Sequence, residues 1–175
     1  AMLPRSTISR TSRPQEGRPT GRSSEIQRLI GRSLRAVTDM ALLGERTILI
    51  DCDVLQADGG TRTAAITGSY VALYQALLNL VRNGVFEVVP LKSSVAAISV
   101  GLVDKAMMLD MCYEEDARAQ VDFNVVMTDR GEYVELQGTA EKGPFSQDNM
   151  DGLLTLARQG IGYLLNVQRE AVRAL

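Results

Sequence analysis

The loop Ala57–Thr63, ADGGTRT, gathers anion-binding chemistry into a few residues. Gly59 and Gly60 let the backbone turn with its N–H groups facing inward. Thr61 and Thr63 add hydroxyls, and Arg62 adds a planar cationic fork. A helical pattern follows the loop, so the positive end of its dipole would point at the same place, and a phosphate is the simplest occupant. The spacing is not that of a P-loop, whose G-x-x-x-x-G-K-[ST] lysine is missing. A structural turn with a solvated Arg62 would show the same residues. Carboxylates form the second group: Glu114, Glu115 and Asp116 stand just before Asp122, which opens the run VDFNVVMT. Hard cations such as Mg²⁺ are held by one or two carboxylates together with substrate phosphates, and Asp116 and Asp122 could supply the carboxylates. A solvated acidic loop is the alternative reading of that run.

The composition limits which chemistry is available. The 175 residues include no histidine and no tryptophan. This excludes a Ser-His-Asp or Cys-His nucleophile, a His-ligated zinc and a histidine general base. The overall charge of −2 hides a polarity along the chain. Residues 1–35 hold eight arginines against Glu16 and Glu25, a net +6, and the rest of the chain carries −8. Arginine outnumbers lysine 16 to 3, which suits bidentate phosphate recognition; a solvated arm with no partner is the plainer alternative. Arginines that neutralise phosphate, a metal and an aspartate that moves a proton are together sufficient for phosphodiester chemistry without histidine. Aromatic content is 5% and scattered, so recognition is expected mainly through the backbone rather than by base stacking. Cys52 and Cys112 form no CxxC pair or disulfide framework, which fits a reducing cytoplasm. No apolar run follows the N-terminal arginines and no run reaches the length of a membrane span, so neither a leader nor a membrane partner is expected.

Element patterns place these groups. Residues 1–22 read as a basic loop and 23–175 as the folded core of a single domain. Ile26, Leu29, Ile30, Leu34 and Val37 predict an amphipathic helix from Ser23 or Ser24 to about Leu43, stopped by Gly44. Residues 46–56 alternate in character and predict a strand with one polar face. After the glycine loop, a second helix is expected over 64–83. Strands are expected over 93–103, 107–112, 121–128 and 132–141, the last two joined by a tight turn at Asp129-Arg130-Gly131. A long helix should follow Phe145-Ser146, with Gly152, Gly160 and Gly162 lowering its intrinsic helicity. The expected fold class is mixed α/β, helices packed on a sheet.

The runs MLPRST (Met2–Thr7), GRSSEIQRLIGRSLRAV (Gly21–Val37), LGERTILIDCDVLQADGGTRTAAITG (Leu43–Gly68), YEED (Tyr113–Asp116), VDFNVVMT (Val121–Thr128) and VELQGTAE (Val134–Glu141) closely resemble bacterial ribonuclease PH, colinearly over essentially the whole chain. The resemblance implies the ribosomal-protein-domain-like fold of that family. It also implies a phosphorolytic 3′→5′ exoribonuclease, a nucleotidyltransferase, that trims transfer RNA precursors and releases nucleoside diphosphates. Inorganic phosphate would be the co-substrate and Mg²⁺ the ion. On the family pattern, Arg22, Gly60, Thr61 and Arg62 would bind phosphate. Asp116 and Asp122 would be the catalytic and metal-binding carboxylates, with Asp122 moving the proton, while Arg5, Arg10 and Arg13 would hold RNA. Members form hexameric rings. Family members usually carry a further, strand-rich segment before MLPRST, so the chain reads as N-terminally incomplete. A non-catalytic RNA-binding ring subunit, as in exosomes, is the alternative, though such subunits lose the loop arginine or the aspartates that are kept here.

Overall fold

The computed structural model describes residues 1–7 and 21–175. In chain order the elements are α1 (Gly21–Val37), α2 (Met40–Leu43), α3 (Thr61–Arg82), β1 (Val95–Val103), β2 (Ala106–Leu109), α4 (Tyr113–Asp116), β3 (Val121–Thr128), β4 (Tyr133–Ala140) and α5 (Gln147–Arg173). The strands form one antiparallel sheet in the order β2-β1-β3-β4. Helices cover both faces, which is the expected mixed α/β class.

The layers follow from the two-residue period of the strands. Val95 and Ala97 of β1, with Val126 of β3, face Leu29, Leu34 and Val37 of α1 and Ile66, Tyr70, Leu73 and Leu77 of α3. The alternate residues Ala96, Ile98 and Val100, with Phe123, Val125 and Met127, face Leu153, Ala157 and Ile161 of α5. A strand covered on both sides reads as a continuous apolar run, and β1 (VAAISVGLV) does. β2 pairs only with Val100–Val103, leaving the first half of β1 with an open edge. Side chains close it. The Thr67 hydroxyl accepts from Ala97 N (3.1 Å) and donates to Ala97 O (3.2 Å). Gln168 Nε2 donates to Val95 O (3.0 Å) and to Thr67 O (2.7 Å).

Four expectations need correction. The helix expected over 23–43 is two helices, because the backbone at 37–39 pairs with 90–92 through Lys92 N to Val37 O (2.7 Å) and Asp39 N to Pro90 O (3.0 Å). Asp39 Oδ1 then caps α2, accepting from Ala41 N and Leu42 N. Secondly, α1 begins at Gly21, so Arg22 lies in a helical turn rather than in the basic loop. Thirdly, residues 46–56 are extended and alternate as expected, with Ile48 and Ile50 against the core and Leu49 exposed. Among the described residues, however, they find no ladder, only the isolated Met2–Val54 bridge. Alternation reports a two-faced environment, whereas a strand also needs partners for its backbone groups. Fourthly, α3 is by length and composition alone able to cross a membrane, contrary to the reading that no run is long enough. Its apolar side is the seam of the core, and its ends are Gly60 and the cation of Arg82, whose Nη2 donates to Leu175 O (2.9 Å).

Candidate active site

The face of the sheet beneath α3 changes character along the strands. Directly paired residues read Ala97–Val126, then Ser99–Asn124, then Gly101–Asp122. Apolar core therefore gives way to a polar floor at the end where α3 begins. The N-terminus of α3 stands over that floor. Gly60 precedes it in the left-handed region (φ 69°), and no side chain caps the helix. The first-turn N–H groups and the positive dipole end are thus offered to the recess. A cavity of about 130 Å³ results, lined by Arg22, Asp58, Gly60, Thr61, Arg62, Ser99, Tyr113, Asp116, Asp122 and Asn124 among others.

Six residues singled out in the sequence, Arg22, Gly60, Thr61, Arg62, Asp116 and Asp122, line this one cleft. Arg5 is exposed and does not line it; Arg10 and Arg13 lie outside the described residues. Thr63 is buried and turns its hydroxyl back onto Gly60 O (2.8 Å), so it is no donor to a ligand. Within the acidic run, Glu115 Oε2 accepts from Cys112 N (2.9 Å) and Glu114 is exposed, leaving Asp116 as the member that faces the cleft. Arg62 lies 3.5 Å from Glu25 of α1. A larger recess of about 640 Å³ between residues 50–59 and α3 is lined by Asp51 and Asp53 and by no arginine, so its chemistry does not suit an anion.

Asp122 has an unusual environment. Burial pushes its carboxyl above the ordinary aspartate range. The charges of Asp116 and Glu141 push the same way, and the Arg62 guanidinium opposes them. Its Oδ1 is buried with no hydrogen-bond partner among the described residues, and so is the Ser99 hydroxyl. An orphaned carboxylate oxygen beside a second carboxylate fits a hard cation or a proton. Among the described residues no group of three or more acidic or cysteine side chains could hold a metal, so a cation there would need substrate oxygens to complete its shell. Asp58, Ser99 and Asn124 escaped the sequence reading. Ser99 left a trace as the one hydroxyl in an apolar strand, and Asp58 as the acid in front of Gly-Gly.

Fold and cleft together define an α/β protein in which an uncapped helix start and two arginines stand beside a carboxyl of raised proton affinity. The description "3' exoribonuclease family, domain 1" matches residues 2–79, and "3' exoribonuclease family, domain 2" matches residues 93–160. The ribonuclease PH of Moorella thermoacetica is 58% identical over 173 residues, 98% of this chain and 69% of that protein. That of Dehalococcoides mccartyi (strain CBDB1) is 56% identical over 170 residues, 97% of this chain and 70% of its own length. The chain belongs to this 3′ exoribonuclease family. Two solved structures share the fold, each at a TM-score of 0.72. Rice (Oryza sativa) Rrp46 is 18% identical, covering 91% of this chain and 70% of its own. The Archaeoglobus fulgidus exosome with RNA bound to the active site is 17% identical, covering 89% and 65%.

Proposed function

We propose that the cleft between α3 and β3 is where phosphate attacks the 3′ end of RNA. Through its family and its identity to ribonuclease PH proteins the chain is a phosphate-dependent 3′ exoribonuclease of the nucleotidyltransferase type. The observation that carries the assignment of the site is the convergence of Arg22, Gly60, Thr61, Arg62, Asp116 and Asp122 in one recess. Arg62, Arg22 and the first N–H groups of α3 hold inorganic phosphate and offset its charge. A phosphate oxygen forms a bond to the terminal phosphorus, the bond from that phosphorus to the 3′ oxygen breaks, and Asp122 gives its proton to the departing oxygen. A nucleoside diphosphate and an RNA one residue shorter result. The raised proton affinity of Asp122 suits that role.

Asp116 and the ionised form of Asp122 would hold Mg²⁺, which supplies charge neutralisation on the phosphate oxygens. Giving up its proton in the reaction leaves Asp122 in the ionised form that would hold the cation. Transfer RNA precursor 3′ ends are the proposed substrate, a hexameric ring the proposed assembly, and the cytoplasm the proposed compartment, consistent with the free thiols of Cys52 and Cys112. Arg5, Arg10 and Arg13 are proposed to track the RNA backbone. Retention of Arg62 and both aspartates favours an enzyme over a non-catalytic ring subunit. Incubation with a 3′-extended RNA should give nucleoside diphosphates only when phosphate and Mg²⁺ are both present. Monophosphates released without phosphate would overturn phosphorolysis, and salt-sensitive binding without any product would favour the non-catalytic subunit.

A further inference from the structure

Two of the stretches that line the cleft lie far apart in sequence and meet at one carboxylate. Asp58 Oδ1 accepts from Gly59 N (2.9 Å) beside it and from Tyr113 N (2.5 Å) across the cleft. Gly59 belongs to the loop that delivers Gly60, Thr61 and Arg62; Tyr113 opens α4, whose last residue is Asp116. The two stretches touch closely here, since a Cβ on Gly59 would lie 1.8 Å from Met111 O. α4 has four residues and none is buried, so its position is set by what flanks it, the buried Met111 and Ala119 and the hydrogen bonds at its ends.

We infer that Asp58 is a positioning residue that sets the separation between the phosphate cradle and the Asp116 carboxylate. The inference rests on the phosphorolytic reading of the cleft. Electrostatics argues that geometry explains the residue. A carboxylate at the rim of an anion site repels the anion, so attraction to phosphate does not account for it, whereas joining two backbone N–H groups does. Both bonds end on a single oxygen. A carboxamide oxygen can accept both, and a methyl group can accept neither.

Asp58→Asn and Asp58→Ala separate charge from geometry. In Asp58→Ala, phosphate KM should rise and kcat fall by about tenfold each, while RNA KM and the melting temperature move little. Asp58→Asn should keep kcat within about threefold of the parent and bind phosphate as tightly or more tightly. In NMR spectra the Tyr113 and Gly59 amide resonances should shift strongly in the alanine variant and stay near their parent positions in the asparagine variant. The inference is overturned if the two variants are equally impaired, or if Asp58→Ala keeps both phosphate constants. The amide shifts and a titration with inorganic phosphate need no turnover. If the parent chain makes no diphosphate, the phosphorolytic reading fails by itself, while these two readouts still report whether Asp58 joins the halves of an anion site.

Discussion

Asp122 combines a buried, unpartnered oxygen with two carboxylate neighbours, and that environment has a sign that can be measured. A folded-state carboxyl with raised proton affinity binds more protons than it does in the unfolded chain. Its contribution to stability is therefore present below the ordinary aspartate range and is lost as pH rises through the raised value. Above that raised value, without metal, ionised Asp122 destabilises the fold. Asp122→Asn should thus abolish turnover, leave RNA affinity nearly intact, and raise the melting temperature at pH 7 in the presence of a chelator. The thermal gain should vanish in acid, and a variant that melts lower than the parent at pH 7 would contradict the assignment. Arg62, proposed to hold phosphate, also acts on Asp122 through its charge. Removing charge-assisted bonds of this kind costs about 1.5–3 kcal/mol. Arg62→Ala should accordingly raise phosphate KM by about ten- to a hundredfold, and it should move the alkaline limb of the pH–rate profile, where Asp122 loses the proton it must give, upward because its opposing charge is gone. Steady-state kinetics across pH reads both effects. These residues were legible in the sequence because GGTRT and the Asp116/Asp122 pair have chemistry and spacing of their own. Asp58 and Ser99 were not legible, since their meaning comes from what stands opposite them in space: Tyr113 N for one, the underside of Gly60 for the other.

At the scale of elements, most of the pattern was readable from periodicity. β3 falls on the expected 121–128, the hairpin turns at Asp129-Arg130-Gly131 with Gly131 at φ 78°, and α5 begins after Ser146, whose hydroxyl accepts from Asn149 N (3.2 Å). The misses share a cause. Helix–helix boundaries at 38–39 and the missing ladder at 46–56 are decided by distant backbone partners, Pro90 and Lys92 in the first case and, among the described residues, the short Ala1–Leu3 stretch at Cys52–Val54 in the second. Long-range pairing of this kind leaves no local signature. The closure of the β1 edge by Thr67 is another instance, because a threonine inside an apolar helix reads as tolerated rather than required. Thr67→Val keeps the shape and removes both bonds to Ala97, leaving a donor and an acceptor unsatisfied at a packed edge. A loss of about 1–3 kcal/mol in denaturant-unfolding free energy is expected, with phosphate KM unchanged because Thr67 does not line the cleft. Thr67→Ser should recover most of the loss.

The whole molecule leaves large apolar side chains at its surface, among them Leu49 (88% exposed), Leu55 (75%) and Tyr163 (70%). Exposure on this scale suits contact with further protein, in keeping with the proposed ring. Native mass spectrometry should show a particle of six chains of 19.1 kDa each, and a monomer at micromolar concentration would remove that proposal. The chain spans 69–70% of the length of its curated relatives, yet the six predicted cleft residues all come from within it. One element joins binding to the core. α3 points its uncapped first turn into the cleft, and about one and a half turns later the same rod is the spine of the larger apolar cluster, from Ile66 to Leu77. Occupancy of the cradle and integrity of the core are therefore thermodynamically linked: whatever binds the folded chain alone stabilises it, by about 2.7 kcal/mol at a hundred times Kd. Saturating phosphate should slow amide hydrogen exchange along α3 as far as Leu77, remote from the ligand, so that the substrate anion also acts as a clasp on the fold.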